Sequence, residues 1–343
     1  MSTIIKTDVV IVGAGPVGLF AIFECGMMRL KCHVIDALEM VGGQCAALYP
    51  EKPIYDIPGF PNIAALELIN NLKKQAAPFS PVYHLNQQVE VLEPLADERW
   101  LVKTSAGTQF DTKVIIIAAG VGAFGPNRPP LEGIETYEGT SILYYIQKRE
   151  QFKNKRVVIA GGGDSAVDWA LSLSEIAKKV MVVHRRAKFR AAPESEEQLH
   201  RLVGQGKIEL IVPYQLDGIE GHNGQLNAVI VKTLEGESRK LEADYLLPFF
   251  GLSMNLGPIN HWGLNLEKHH IQVDPGTCKT NQPGILAIGD IATYSHKLKL
   301  ILTGFAEAAQ AAHTARSLVH PGEVWHFEHS TTQGVPHKET VAA

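Results

Sequence analysis

The stretch VVIVGAGPVGLFA, residues 9–21, sets glycines at Gly13, Gly15 and Gly18 between a β-branched apolar run and a helix-forming one. The run DVVIVGAG reads as a buried parallel strand, because continuous Val and Ile suit a strand covered on both faces. LFAIFECGMMR reads as a helix and KCHVIDA as a second strand. Asp36 closes this unit, 23 positions after Gly13. Strand, Gly-x-Gly-x-x-Gly turn, helix, strand and acid together form a dinucleotide-binding pattern. The glycines let the backbone approach a diphosphate seated on the helix N-terminus, and the acid accepts hydrogen bonds from ribose hydroxyls.

The pattern occurs twice. KRVVIA, the turn GGGDSA with Gly161, Gly163 and Ser165, the helix VDWALSLSEIA and the strand KVMVVHRR repeat it over residues 155–186. Counting the same interval from Gly161 reaches His184 rather than an acid, followed by Arg185 and Arg186. An acid at this place repels a ribose 2′-phosphate, whereas arginine binds it bidentately. Two unit charges about 4 Å apart interact by roughly 4 kcal/mol at an effective dielectric of 20, enough to choose between cofactors. The first turn therefore suits FAD and the second NADP(H), with hydride passing from nicotinamide to flavin.

The remaining chain is consistent with an α/β protein of two Rossmann-like, three-layer domains. Its 343 residues allow two domains, and 45% hydrophobic with 20% charged residues is ordinary globular composition. A net charge of −4 gives no overall basic footprint for nucleic acid. No apolar stretch approaches the roughly 20 residues that span a membrane, and MSTIIKTDVV has no signal-peptide pattern, so the expected address is cytoplasmic. Residues 40–62 are rich in Gly and Pro and read as a loop. Residues 207–247 read as a meander, and GILAIGDIA as a further buried strand entering a turn. FAEAAQAAHTARSLV reads as an Ala-rich helix before a polar tail. An FAD-binding domain is expected at 1–123 and 250–343, with an NADPH-binding domain inserted at 124–249. Cys25, Cys32, Cys45 and Cys278 form no Cys-x-x-Cys motif, and no histidine cluster has metal-ligand spacing.

GAGPVG, GGQC, AAG, GGGDSA, HRR and AIGD, in this order, resemble the two-dinucleotide-domain flavoprotein reductases of the thioredoxin-reductase type. The dithiols of that type and of the glutathione-reductase type are both missing. SILYYIQKRE holds no cysteine, and the place of a second cysteine after Cys45 is Pro50. GGQCAALYPEKPIYDIPGFP, RVVIAGGGDSAVDWAL and HSTT instead resemble the thioredoxin-reductase-like ferredoxin/flavodoxin–NADP⁺ reductases, over nearly the whole chain. A flavin takes two electrons as hydride and releases them singly, so that chemistry requires no cysteine.

The resemblance implies roles for further residues. Asp36 would bind the adenosine ribose, and Val89 the adenine end through its backbone. Gln44 and Tyr49 would line the flavin, with the Tyr49 ring stacked on it. Phe124 would follow the AAG crossover, Asp290 would hold the ribityl chain, and Thr331 and His329 would cover the other flavin face. His329 and the tail are expected to gate nicotinamide access. Ferredoxin or flavodoxin is the implied partner and a homodimer the implied assembly. KLKL at 297–300 and RRAKFR at 185–190 would supply a basic rim for an acidic carrier. From the residues alone, a disulfide reductase and a non-catalytic NADPH-sensing flavoprotein also stay open.

Overall fold

The computed structural model describes residues 4–323 and Gly334, with backbone alone at 123–125 and 252–254. The chain forms two compact units, Met1–Phe124 with Met254–Ala343, and Gly125–Ser253.

The first unit starts with β1 (Ile5–Val12), α1 (Pro16–Met27) and β2 (Cys32–Ile35). Within the Gly/Pro-rich stretch lies a short helix, α2 (Gly43–Ala47), where a loop was expected. It forms because Gly42 and Gly43, both at positive φ, turn the chain sharply and Cys45 then buries. The helix α3 (Ala65–Ala76) precedes β3 (Val82–His84), β4 (Val89–Pro94), β5 (Trp100–Thr104) and β6 (Gln109–Ile117). β3, β2, β1 and β6 lie side by side in parallel. The first half of β6 also pairs antiparallel with β5, and β5 with β4, so a three-stranded meander branches off the parallel sheet.

The chain leaves through β7 (Ala123–Pro126) into the second unit, which repeats the plan. Its parallel sheet has the order β10–β9–β8–β14, with β8 at Arg156–Ala160, β9 at Lys179–Val183, β10 at Ile208–Ile211 and β14 at Tyr245–Pro248. Helix α4 (Asp164–Leu173) connects β8 to β9. Helix α5 (Pro193–Gly204), unmarked by any strong apolar run, buries Leu199 among the partly buried Leu202 and Val203. The meander here is β11 (Gln215–His222), β12 (Gln225–Lys232) and β13 (Ser238–Glu242). The chain returns through β15 (Leu252–Asn255) to β16 (Ile285–Ala287), which pairs with the end of β6, and then α6 (Ile301–Val319).

Strand side chains alternate between two faces, and both faces are buried. Val9, Ile11, Val114 and Ile116 pack under α1, α3 and α6, while Val10, Val12, Ile115 and Ile117 pack against Leu256, Ile259 and Trp262. The second sheet divides likewise: Val157, Ile159, Val180 and Val182 face α4 and α5, and Val158, Met181 and Val183 face the meander. Among the described residues no helix is long and apolar enough to cross a membrane.

One polar pair sits on the β2–β3 edge. His33 Nδ1 and His84 Nε2 are 2.9 Å apart, with Phe110 edge-on to His84. One ring must donate and the other accept. Burial lowers both pKa values below the ordinary imidazole range, and His84 lowers that of His33 further. The unfolded chain therefore binds more protons as pH falls below about 6.5, so the stability of this pair is intact above that pH and is lost below it. A His33→Gln variant is expected to lose less Tm than the parent between about pH 7 and 5.5. Parallel Tm–pH curves would contradict this account.

Candidate functional sites in the two units

In the first unit a cavity of about 290 Å³ opens at the C-terminal ends of β1 and β6, the usual ligand position in an open α/β sheet. The turn after β1 is held from three sides. Gly13 N–H donates to Ile35 O at 2.8 Å. Gly13 has φ +109°, and a Cβ there would lie 2.4 Å from Ala118 O. A Cβ on Gly18 would lie 2.0 Å from Gly13 O, so Gly18 serves helix–strand packing and does not line the cavity. Gly15 is the N-cap of α1, and no side chain caps it. Its first turn, through Pro16 and Val17, lines the cavity.

Asp36 follows β2 directly, beside this turn. Its Oδ2 accepts from Ala14 N–H at 2.6 Å and its Oδ1 from Leu38 N–H at 2.8 Å. Burial raises its pKa, and these two bonds oppose the rise. Each oxygen keeps acceptor capacity for hydroxyls.

Gln44, Cys45 and Tyr49 reach the same cavity from α2 and the residues after it. Cys45 Sγ lies 3.7 Å from the Tyr49 hydroxyl. Burial pushes the Cys45 thiol up to about 11, opposite to the shift a nucleophilic cysteine needs. Burial also raises the Tyr49 phenol, which stays neutral. Val89, 3% exposed at the start of β4, and Asp290, in the turn after β16, also line this cavity. Burial raises Asp290, while Lys297 and Lys299 draw it down.

Other lining residues carry no sequence signal. Leu256, Pro258, Ile259 and Trp262 come from the segment after β15 and form an apolar wall. Trp262 Nε1–H donates to Glu90 O at 3.3 Å, which fixes the indole against β4. No motif marks these four, because they lie more than 200 positions after the first turn.

The second unit holds a cavity of about 940 Å³ around the second turn. Gly161 N–H donates to Val183 O at 3.0 Å, and a Cβ on Gly161 would lie 2.6 Å from Phe249 O. Gly161, Gly163, His184, Arg185 and Arg186 all line the cavity, while Ser165 stands exposed in the first turn of α4 and does not. The loop after β9 folds back over the glycines. Arg190 N–H donates to Gly162 O at 2.6 Å and Ala192 N–H to Asp164 Oδ1 at 2.9 Å. This return adds Lys188 and Arg190 to the lining. The neighbouring guanidinium groups, after burial, hold the pKa of His184 down.

The two cavities have opposite electrostatics. Asp36 and Asp290 line the first, and among the described residues no Lys, Arg or His does. Arg185, Arg186, Lys188 and Arg190 line the second, and among the described residues no carboxylate does. All four cations are exposed.

Phe124 falls in β7, where backbone alone is described. His329 and Thr331 lie outside the described residues. Lys297 departs from its expected place on a basic rim: its side chain is 4% exposed and pairs with Glu307. Among the described residues, no group of three or more His, Cys, Asp or Glu is placed to hold a metal.

The sequence matches the pyridine nucleotide-disulphide oxidoreductase family over residues 7–316. A protein of Paramagnetospirillum magneticum named ferredoxin–NADP reductase is 64% identical over 331 residues, 96% of this chain and 98% of that protein. One of the same name from Rhodospirillum rubrum is 60% identical over 338 residues, 98% of each. Among solved structures, Lactococcus lactis thioredoxin reductase in its FR conformation superimposes with a TM-score of 0.78 at 28% identity, covering 92% of this chain and 99% of that one.

The glycine geometry makes a direct contrast. Gly13→Ala is expected to cost about 1–3 kcal/mol in denaturant unfolding, from positive φ and the clash with Ala118 O. Gly163 has φ −99° and open space where a Cβ would sit. Gly163→Ala is therefore expected to change stability by less than about 1 kcal/mol. Equal losses in the two variants would refute the geometric argument.

Proposed function

The chain belongs to the pyridine nucleotide-disulphide oxidoreductase family, and from that membership we propose that it is an FAD-dependent ferredoxin–NADP⁺ oxidoreductase. FAD, when bound, accepts hydride from NADPH and passes electrons one at a time to a carrier protein.

The first cavity fits FAD. Gly13 and Gly15 have no side chain to block a diphosphate, and the uncapped first turn of α1 offers N–H groups to it. Among the described residues no cation lines this cavity, and the backbone of the turn is what faces a diphosphate. Asp36 accepts the ribose hydroxyls, Val89 meets the adenine end and Asp290 takes the ribityl hydroxyls. Gln44 and Tyr49 border the flavin ring. Tyr49, held neutral by burial, excludes water there without adding charge. Phe124, and Thr331 with His329 from the tail, are assigned to the flavin by resemblance alone. The same resemblance supports a homodimer and flavodoxin as a second carrier, while the cytoplasmic setting rests on the residue pattern of the chain.

The observation that carries the assignment is the charge contrast. Four cations line one cavity with no carboxylate beside them among the described residues; they repel one another, and an anion relieves the repulsion. The ribose 2′-phosphate of NADPH supplies more negative charge there than NADH does. Arg185 and Arg186 follow β9 after His184, where the ribose of a dinucleotide lies in this kind of unit.

The thiols support electron transfer over disulfide exchange. Cys45 is the only cysteine lining the first cavity, and its thiol is pushed up to about 11. Cys25 and Cys278 are buried elsewhere and Cys32 is half-buried.

The decisive experiment is anaerobic mixing of the purified protein with NADPH, then with NADH, followed by ferredoxin coupled to cytochrome c. Bleaching by NADPH and ferredoxin-dependent cytochrome reduction are expected; bleaching without transfer would refute the assignment. Arg185→Ala and Arg186→Ala should each raise KM for NADPH by roughly tenfold or more and leave KM for NADH nearly unchanged. Cys45→Ser should retain more than about half of the ferredoxin-linked rate, whereas a disulfide reductase using that thiol would lose it.

A further inference from the structure

Behind the Gly289–Asp290 turn lies a buried ion pair that no part of the dinucleotide pattern requires. Glu307 on α6 is 3% exposed, and the Lys297 side chain 4%. Lys297 Nζ donates to Glu307 Oε1, which also accepts from the Tyr294 hydroxyl at 2.8 Å. Lys297 Nζ stands 5.0 Å above the Tyr294 ring. The other oxygen, Glu307 Oε2, accepts from Gly289 N–H at 2.7 Å. Neither Lys297 nor Glu307 lines the first cavity, but Gly289 and Asp290 do.

The packing around the pair is equally specific. Gly289 has φ +71°, and its turn lies against Val17 in the first turn of α1. A Cβ on Gly304 would lie 2.3 Å from Val17 Cγ2 and 3.4 Å from Gly289 Cα. Gly304 and Glu307 are three residues apart on α6, so they lie on one helical face. Gly304 admits the turn and Glu307 bonds its N–H. One helix face thereby joins the start of α1 to the turn that carries Asp290.

Burying a carboxylate and an ammonium costs several kcal/mol per ion unless geometry and hydrogen bonds compensate. A leucine pair would fill this space more cheaply, but it could not accept from Gly289 N–H. We infer that Lys297 and Glu307 are a positioning pair for the flavin: they fix the Gly289–Asp290 turn, and with it the Asp290 carboxylate, at the ribityl end of the first cavity. Lys297 does so by holding the Glu307 carboxylate in place through its hydrogen bond, and Tyr294 contacts both. This inference rests on the assignment of FAD to that cavity.

The test uses purified holoenzyme. The readouts are the rate of FAD release on dilution, followed by flavin fluorescence, and the visible circular dichroism of bound flavin. Both are taken at a temperature where far-ultraviolet circular dichroism shows every variant folded. Lys297→Met and Glu307→Gln are each expected to release FAD about tenfold faster or more and to alter the visible spectrum, because each leaves one buried charge unpaired. The double variant, with neither charge, should recover most of the loss in release rate, as coupled neighbours do. Should Lys297→Met fail to fold, Tyr294→Phe removes one donor to Glu307, keeps the ring, and should release FAD about threefold faster. A lowered Tm with unchanged FAD release and spectrum in the single variants would reduce the pair to a fold element and overturn the inference. A parent protein that carries no flavin would instead overturn the cofactor assignment beneath it.

Discussion

The backbone of Gly13 lies so close to the end of β6 that a single methyl group there would sit 2.4 Å from Ala118 O. That approach, held by the bond from Gly13 N–H to Ile35 O, seats three elements on one turn. β1 ends there, α1 starts there, and β2 places Asp36 beside it. The carboxylate of Asp36 then bonds Ala14 N–H within the turn itself. The first cavity exists because these strand ends converge and no side chain fills the space between them.

The second unit repeats this construction with different chemistry. Gly161 approaches Phe249 O as Gly13 approaches Ala118 O, and a meander again covers one sheet face. The difference lies in the residues just past the second strand of each unit. Asp36 turns inward and its charge is met by two backbone N–H groups. Arg185 and Arg186 stand exposed, joined by Lys188 and Arg190 when the loop returns. One ground plan thus gives an acidic site suited to a resident cofactor and a basic one suited to an exchanging anion.

The cysteines acquire meaning only from their surroundings. Cys45 occupies the position at which a disulfide-reducing relative would begin a redox pair, yet its thiol touches a tyrosine hydroxyl and burial opposes its ionisation. A buried thiol of this kind behaves as a small packing group. Electron flow through the first cavity then depends on how its walls place the cofactor. The apolar wall from Leu256 to Trp262 and the Gly289–Asp290 turn line that cavity from the far end of the chain.

The amino-acid sequence by itself determined both strand–turn–helix units, the acid after one and the arginines after the other. Those features depend on short-range spacing: a β-branched run, a glycine at a fixed step and a charge one strand later are local facts. It also displayed Gln44, Tyr49 and Asp290 within recognisable motifs. The tertiary structure alone decided which distant residues meet. Helix α5 lacks a strong apolar run, α2 forms inside a turn-rich stretch, and the wall at Leu256–Trp262 carries no motif. Lys297 read as surface charge because four residues of KLKL look solvated, yet its side chain is buried against Glu307, ten positions on in α6. Burial and pairing arise where segments separated in sequence pack together, and the identity of a lysine does not specify the environment that its fold gives it.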